Sequence, residues 1–207
     1  MGIMNPRYAI LLDGGFVTKA IARKTKANAT LQDIEQVCLK ITTLPILQNY
    51  DLLRIYYYDA PPASGTITNP IDGAVINLGN SDVHKRNTLL LDQLELLPNF
   101  ALRKGETVVR GWRIGPKALK DMMKNPRLPM AGDLIPNIEQ KGVDLRIGLD
   151  ISRLALRDMA RTIVVVTGDS DMVPAFKFAR REGMRILLDH LGMPIRRELL
   201  AHADIVI

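Results

Sequence analysis

The stretch Thr162-Ile-Val-Val-Val-Thr-Gly-Asp-Ser-Asp171 decides the fold class. Its β-branched run from Ile163 to Val166 is unbroken, which is typical of a strand buried on both faces, as parallel strands are. Thr167-Gly168 ends the run, and two aspartates follow before the next helical pattern begins. Ligands of open α/β sheets bind beyond the carboxyl ends of the strands, so Asp169 and Asp171 stand where a ligand is expected.

Strands and helices alternate along the chain on either side of this stretch. Apolar runs predict further strands at Tyr8 to Leu12, Leu52 to Tyr58 and Arg185 to Leu188, and helical patterns separate them. This alternation is typical of an α/β fold built around a central parallel sheet.

The middle of the chain departs from the alternation. Residues 60–82 are rich in turn-forming residues and predict a long loop with a short hairpin at Ala74 to Leu78. Ala101 to Gly115 alternates around Lys104-Gly105-Glu106, which predicts a β-hairpin, and residues 126–136 predict another irregular segment. We therefore expect a single domain over residues 1–207, elaborated by loops and a hairpin at about 60–136.

The composition is that of an ordinary globular protein with a basic charge balance. The chain is 47% hydrophobic and 24% charged, and its formal net charge is +6. An excess of Lys and Arg favours a polyanionic partner. The single Cys38 excludes a disulfide framework and a cysteine-based metal site, and it fits a cytoplasmic location. The apolar segment at Tyr8 to Leu12 is too short for a signal peptide or a membrane span, so we expect no membrane association.

Several aspartates are expected to meet at one edge of the sheet. Four predicted strands end in Asp13, Asp59, Asp169 and Asp189, and Asp144 begins a predicted helix. Carboxylates that lie close together repel one another and tend to protonate unless a cation is bound. Oxygen ligands without Cys or His suit Mg²⁺ or Mn²⁺. A site of this kind can activate water and stabilise a phosphoryl group during its transfer.

Each acid also has a structural interpretation. Asp171 and Asp144 can cap the helices that follow them, and Asp169 can stabilise the turn with Gly168. Asp59 precedes Ala-Pro-Pro, and its structural interpretation is that it shapes that loop. The Asp-x-Asp spacing is by itself a weak motif, because phosphatase-like and primase-like folds use it too.

A basic segment accompanies the acids. Residues 101–120 contain one acid, Glu106, and the interleaved Trp112, together with six basic residues: Arg103, Lys104, Arg110, Arg113, Lys117 and Lys120. The segment is either a solvated hairpin with a half-buried Trp or a surface that contacts phosphates and stacks on a base.

Four motifs occur in the order found in NYN-domain proteins of the LabA-like branch, relatives of the PIN-domain nucleases. They are Leu11-Leu-Asp-Gly-Gly-Phe16, Tyr57-Tyr-Asp-Ala-Pro-Pro62, Gln140-Lys-Gly-Val-Asp144 with Asp150, and Val166-Thr-Gly-Asp-Ser-Asp171. The resemblance implies a PIN-like three-layer α/β/α sandwich with a central parallel sheet and a Mg²⁺- or Mn²⁺-dependent ribonuclease site. The metal-binding acids of the family correspond to Asp13, Asp144, Asp169 and Asp171, and Asp150 can contribute. Many NYN members have Asn soon after the first Asp, where this chain has Gly15-Phe16.

The sequence thus predicts a cytoplasmic ribonuclease in which Asp13, Asp144, Asp169 and Asp171 hold one or two divalent ions. Thr167 and Ser170 would orient water or the acids, and Asp59 is a further candidate. The residues expected to hold RNA are Arg103, Lys104, Arg110, Arg113 and Lys141. The alternative is a PIN-like RNA-binding or regulatory protein that does not cut, and a phosphatase of small substrates is a third interpretation. The oligomeric state stays open, a homo-oligomer included.

Overall fold

The computed structural model describes residues 5–207, which form ten strands and seven α-helices. The strands are β1 (Arg7–Asp13), β2 (Asp51–Asp59), β3 (Thr66–Thr68), β4 (Val75–Asn77), β5 (Phe100–Lys104), β6 (Glu106–Ile114), β7 (Leu134–Lys141), β8 (Thr162–Val166), β9 (Arg185–Asp189) and β10 (Ile205–Val206). The helices are α1 (Gly14–Thr25), α2 (Leu31–Thr42), α3 (Asp82–Glu95), α4 (Pro116–Lys124), α5 (Val143–Leu156), α6 (Val173–Arg181) and α7 (Arg197–Ala201). Among these helices, none is long and apolar enough to cross a membrane.

Two compact units make up the described chain. The first contains residues 5–59, Leu90–Gly105 and Gly142–Ile207, and the second contains Ala60–Leu89 and Glu106–Lys141. The range 60–136, where the sequence predicts an elaboration, includes Leu90–Gly105, which belongs to the first unit.

The first unit is built on a six-stranded sheet in the order β10-β9-β8-β1-β2-β5. Every neighbouring pair is parallel, as the alternation of strands and helices predicts. From β1 the chain proceeds outward through β2 and β5, and it then returns to place β8 on the other side of β1. The order therefore reverses between β1 and β8, which is where ligands bind in open α/β sheets. At this point Leu12 of β1 pairs with Val166 of β8, so the carboxyl ends of the two strands are adjacent.

Helices cover both faces of this sheet. Alternate residues Tyr8, Ile10 and Leu12 of β1 pack with α1 and α2 in one core, as the two-residue period of a strand requires. The helices α5 and α6 pack together, α5 against β1 and β2 and α6 against β9. Residues Ile163 to Val166 are at most 1% exposed, which confirms the strand buried on both faces. The predicted three-layer α/β/α architecture with a central parallel sheet is thus confirmed.

One prediction for the middle of the chain is wrong. The segment from Ala101 to Gly115 does not form a hairpin, because β5 joins the six-stranded sheet beside β2 and β6 pairs antiparallel with β7. The expected turn at Gly105 is instead the passage between the two sheets, and the Gly105 N–H donates to the Asp59 carbonyl at 2.7 Å. The segment 126–136, predicted to be irregular, also contains the start of β7.

The second unit contains two antiparallel pairs, β3 with β4 and β6 with β7. The short hairpin predicted at Ala74 to Leu78 has wrong bounds, because Val75–Asn77 is only its second strand and pairs with Thr66–Thr68. Trp112 on β6 is tied to this hairpin, because its indole N–H donates to the Thr68 carbonyl at 2.8 Å. The half-buried Trp112 therefore has a structural role in the second unit.

Candidate active site

Asp13 lies at the carboxyl end of β1 and begins α1. Its carboxylate is held at both oxygens: Oδ1 accepts the backbone N–H of Phe16 at 3.1 Å, and Oδ2 accepts the hydroxyl of Thr167 at 2.9 Å. The first bond is a helix N-cap, so the strand-to-helix turn itself fixes the side chain. Because Thr167 follows β8, the second bond joins the two strands on either side of the reversal in strand order.

A chain of hydrogen bonds continues from Thr167 through the loop after β8. The fully buried hydroxyl of Thr167 accepts the Asp169 N–H at 3.1 Å, and Oδ1 of Asp169 accepts the Asp171 N–H at 2.9 Å. Asp169 therefore caps the short 3-10 helix Ser170–Met172, in agreement with its interpretation as a turn residue. Asp171 does not cap α6, whose first residue is Val173 and whose start has no side-chain cap. The Asp171 carboxylate is left exposed.

Two glycines allow this close approach of backbone and rings. A Cβ on Gly14 would lie 2.7 Å from the Tyr58 carbonyl oxygen and from Cε1 of Tyr57. A Cβ on Gly168 would overlap the ring of Phe16. Both contacts are far shorter than van der Waals separation, so these positions accept only glycine without a shift of their neighbours. The turn residues that follow Asp13 and precede Asp169 are therefore fixed by sterics.

Asp144 approaches the same acids from α5. It lies in the first turn of that helix but does not cap it, since the N-cap is Gly142 and no side-chain cap is present. Although Asp144 is exposed overall, partial desolvation of its carboxyl raises its pKa, and the charges of Asp169 and Asp171 raise it further. The pKa of Asp13 is also raised, mainly by burial and additionally by Asp144 and Asp169, while the bonds from Phe16 and Thr167 oppose the shift. Asp144 is thus close enough to Asp13, Asp169 and Asp171 for their charges to interact, and we call these four residues the acidic cluster.

The acidic cluster fits a hard divalent cation in its chemistry. It offers only oxygen donors, and among residues 5–207 none of its members forms an ion pair with Lys, Arg or His. As the side chains stand, no three His, Cys, Asp or Glu residues in the described chain are gathered closely enough to hold a metal ion. Asp144 and Asp171, the two exposed members of the cluster, are not held by side-chain hydrogen bonds in the described chain.

Two further acids of the sequence prediction have other partners. Asp150 on α5 accepts the Arg103 Nε–H and the Tyr58 hydroxyl, each at 2.9 Å through Oδ2. The Arg103 guanidinium also lies 5.0 Å from the centre of the Tyr56 ring. Asp150 therefore ties α5 to β2 and β5. Asp59 ends β2, and its backbone carbonyl accepts the Gly105 N–H.

The basic residues predicted to hold RNA are divided between the two units. In the first unit, Arg103 pairs with Asp150 and Lys104 pairs with Glu95 at 2.6 Å. In the second unit, Arg110 pairs with Glu139 at 3.2 Å, while Arg113 and Lys141 are exposed. Arg103, Lys104 and Arg110 thus have acidic partners that an RNA phosphate would have to replace.

Arg196 is a neighbour of the acidic cluster that the sequence interpretation missed. Its guanidinium NH1 lies 3.3 Å from the Ser170 hydroxyl, between the two acids of the Asp-x-Asp segment. It precedes α7 and is exposed. Only the three-dimensional return of the chain after β9 brings it there, and a lone Arg in a polar segment gives no sequence signal.

The NYN domain family model matches residues 95–203, which is more than half of the chain. The chain belongs to the NYN-domain family. The matched range contains Asp144, Asp169 and Asp171 of the acidic cluster, whereas Asp13 lies before it. The resemblance to NYN and PIN-like proteins is thereby confirmed, and the LabA-like branch stays a prediction.

This NYN protein also has a solved structural neighbour. A crystal structure of a protein of unknown function, VPA0982 from Vibrio parahaemolyticus, superposes with a TM-score of 0.56 at 14% sequence identity. The alignment covers 100% of this chain and 94% of the neighbour. At this identity the similarity concerns the fold alone, and it agrees with a PIN-like α/β architecture. No curated protein matches the chain.

Proposed function

We propose that this NYN protein is a divalent-metal-dependent ribonuclease that hydrolyses RNA phosphodiester bonds at the acidic cluster. The observation that carries the proposal is the meeting of Asp13 and Asp169 through Thr167 beside the reversal in strand order, with Asp144 and Asp171 near them and no ion pair to any of the four among residues 5–207. Repulsion between nearby carboxylates is costly unless a bound cation offsets it. NYN domains are generally nucleases, and RNA is their general substrate.

The members of the acidic cluster would divide into fixed and adjustable ligands. Asp13 and Asp169 are oriented by hydrogen bonds from Phe16, Thr167 and Asp171, which favours them as the anchors of a Mg²⁺ or Mn²⁺ ion. Asp144 and Asp171 are exposed and would complete the ligand set. When bound, the cation would supply activation of water and neutralisation of charge on the phosphoryl oxygens.

Other residues would act on the acids or on the RNA. Thr167 would hold the Asp13 carboxylate in place through its hydrogen bond. Ser170 and Arg196, which contact each other, would lie beside the acidic cluster where RNA approaches. Arg113 and Lys141, which have no ion pair among the described residues, are available for phosphates. Arg103, Lys104 and Arg110 would contact RNA only by exchanging their present acidic partners. We propose the cytoplasm as the site of action, in keeping with the buried free thiol of Cys38.

The test replaces Asp169 by Asn, which keeps the side-chain shape and an acceptor for the Asp171 N–H but removes the charge. Asp169→Asn should lower Mn²⁺-dependent cleavage of a labelled RNA at least about 100-fold, as loss of a metal ligand or its support does. Asp158→Asn is the matched control, because Asp158 is exposed, forms no ion pair in residues 5–207 and has the left-handed backbone that Asn tolerates. Equal cleavage by the parent and Asp169→Asn would show that the acids are not the active site.

A non-catalytic RNA-binding protein is the second candidate. It is favoured by the arrangement of the acids, since no three of them enclose an ion as they stand. The same assay separates the two functions. RNA binding that is unchanged by chelator, together with no cleavage in Mn²⁺ by parent or variant, would support the binding protein.

A further inference from the structure

The amino edge of the six-stranded sheet, at the opposite end of the strands from the acidic cluster, carries a row of arginines. Arg7 begins β1, Arg161 precedes β8 and Arg185 begins β9. Backbone bonds join them in sequence: the Arg161 N–H donates to the Arg7 carbonyl at 2.8 Å, and the Arg185 N–H donates to the Arg161 carbonyl at 3.0 Å. Arg7, Arg161 and Arg185 are all exposed at this edge, and the register places Arg185 opposite Thr162, one position beyond Arg161.

Helix α6 adds a second set of cations beside the row. The helix buries Val173, Phe176 and Ala179 against the sheet and α5. Lys177, Arg180 and Arg181 of this helix are exposed. Lys177 and Arg181 are four residues apart and therefore neighbours on the helix surface.

The three cations of α6 and Arg185 of the row line one open cavity of about 700 Å³, which we call the amino-edge groove. Its lining consists of Lys177, Arg180, Arg181, Gly183, Met184, Arg185 and Asp204. Gly183 lies next to Arg161, whose guanidinium NH1 would be 3.7 Å from a Cβ at that glycine. The row of arginines thus continues into the groove.

One acid faces these cations, and it is already engaged. Oδ1 of Asp204 pairs with the Arg180 Nε–H at 2.9 Å, and its Oδ2 accepts the Ile186 N–H at 2.8 Å. In the described chain, Lys177, Arg181 and Arg185 have no carboxylate within ion-pair distance. The groove therefore keeps an excess of positive charge that no side chain neutralises.

The helix dipole explains only part of this arrangement. Arg180 and Arg181 lie in the last turn of α6, where cations are stabilised by the helix dipole. That effect does not extend to Lys177 in the preceding turn, nor to Arg7, Arg161 and Arg185 on the strands. Like charges at this density repel, and a polyanion is the partner that relieves the repulsion.

We infer that the amino-edge groove binds the phosphate backbone of RNA at a distance from the bond that is cut. The inference rests on the proposed function for its choice of RNA as the polyanion. The open shape of the groove suits a chain that passes through it, and its several separate cations suit successive phosphates. Strand β8 has five residues, so roughly 17 Å separates its two ends, and the groove would contact a part of the RNA remote from the acidic cluster.

The experiment measures binding of a 5′-labelled 30-nucleotide oligouridylate by fluorescence anisotropy in chelator. All proteins carry Asp169→Asn, so neither cleavage nor metal binding enters the measurement. Lys177→Glu with Arg181→Glu should weaken binding about tenfold or more. The slope of log affinity against log salt should fall by about 1.4, which corresponds to two phosphate contacts at roughly 0.7 each for a single strand.

The matched control is Lys19→Glu with Arg23→Glu, an exposed Lys–Arg pair with the same four-residue spacing on α1. It makes the same change of net charge and should alter binding less than threefold. A second test pair, Lys177→Gln with Arg181→Gln, keeps the measurement valid if the Glu pair unfolds, and thermal unfolding of each variant reports on the fold. Parental binding by both test pairs, or equal weakening by the test and control pairs, would overturn the inference.

Two further measurements separate the groove from other possibilities. If polyglutamate of equal charge displaces the RNA as well as unlabelled oligouridylate does, the groove takes acidic polypeptides and the inference is wrong. With Asp169 restored, cleavage of the 30-nucleotide RNA at subsaturating concentration in Mn²⁺ should fall with the test pair as its binding does, whereas the control pair Lys19→Glu with Arg23→Glu should cleave as the parent does. A protein that never cleaves but loses RNA affinity through the test pair would refute the nuclease and leave the groove standing.

Discussion

At the residue scale, two buried threonines at the ends of β8 have opposite hydrogen-bonding states. The Thr167 hydroxyl donates to Asp13 and accepts from Asp169, whereas the Thr162 hydroxyl has no partner among the described residues. Thr167→Val should lower the free energy of unfolding by about 1–3 kcal/mol, since it leaves a carboxylate oxygen and an N–H unpaired. It should also lower cleavage roughly 10- to 100-fold, which is the usual effect of losing a hydrogen bond that orients a metal ligand, here Asp13. Thr162→Val makes the same chemical change at the first residue of β8. It should leave the free energy of unfolding in urea unchanged or raise it, because it removes a buried hydroxyl that has no partner among the described residues. Equal losses in both variants would contradict the hydrogen-bond chain from Asp13 to Asp169.

Two glycines make a second contrast at this scale. Gly168→Ala would force a Cβ into the Phe16 ring, and overpacking of this kind typically costs about 1–3 kcal/mol. Gly148 lies inside α5, where an added Cβ would be 4.0 Å from the Ala175 Cβ. Gly148→Ala should therefore stabilise the protein by roughly 0.5–1 kcal/mol through helix propensity. Thermal unfolding of both variants measures the contrast, and a stabilised Gly168→Ala would mean that the turn after β8 is looser than its contacts indicate.

At the scale of elements, the sequence predicted those features whose cause is local. The strand from Ile163 to Val166 depends only on its own run of β-branched residues, and it is confirmed. The pairing of β5 depends on β2, which lies more than 40 residues earlier, and the alternation of its side chains is the same in either sheet. Lys104-Gly105-Glu106 therefore predicts a hairpin turn that does not form. The signal that distinguishes the two, a Gly105 N–H bonded to the Asp59 carbonyl, is absent from any local pattern.

The 3-10 helix Ala131–Asp133 before β7 carries a pH-dependent contribution to stability within the second unit. Hydrogen bonds from Arg127 and then from the Met130 N–H lower the pKa of the Asp133 carboxyl from 3.8 to about 2. Because the folded pKa is the lower one, this stabilisation is complete above about pH 4 and is lost as the pH falls towards 2. Asp133→Asn should flatten the pH dependence of urea unfolding in that window, and carboxyl NMR of the parent should show the low midpoint. Asp121→Asn is the control, because Asp121 is exposed and pairs with Arg127 at a longer 3.4 Å. An Asp133 midpoint near 4 would contradict the pairing.

At the scale of the whole molecule, the sequence predicted which edge of the sheet carries the acids better than it predicted what each acid does. Parallel strands bring their carboxyl ends together, so Asp13 and Asp169 could be placed at one edge before any coordinates were known. The hydroxyl of Thr167 reaches Asp13 across 154 positions of sequence, and Arg103 reaches Asp150 across 47. Such partners are chosen by the packing of α5 and β8 around β1. A sequence pattern cannot tell which acid forms a salt bridge with a basic side chain, as Asp150 does with Arg103, and which acid forms none.

The acidic cluster has no cationic partner among the described residues, so binding of a cation there should be measurable as an increase in the stability of the whole protein, without any assay of cleavage. Anything that binds the folded chain alone stabilises it, and Mn²⁺ at 100 times its dissociation constant would add about 2.7 kcal/mol to the free energy of unfolding. The melting temperature of the parent should therefore rise with Mn²⁺ and return with chelator.

Asp144→Asn removes one of the repelling charges at a side chain that has no hydrogen bond or ion pair in the described chain, so it should raise the metal-free melting temperature. It should also reduce the rise with Mn²⁺, while Asp158→Asn leaves both unchanged. Two results would contradict cation binding at the acidic cluster: a parental melting temperature that does not change with Mn²⁺, or an Asp144→Asn variant whose melting temperature rises as much as that of the parent.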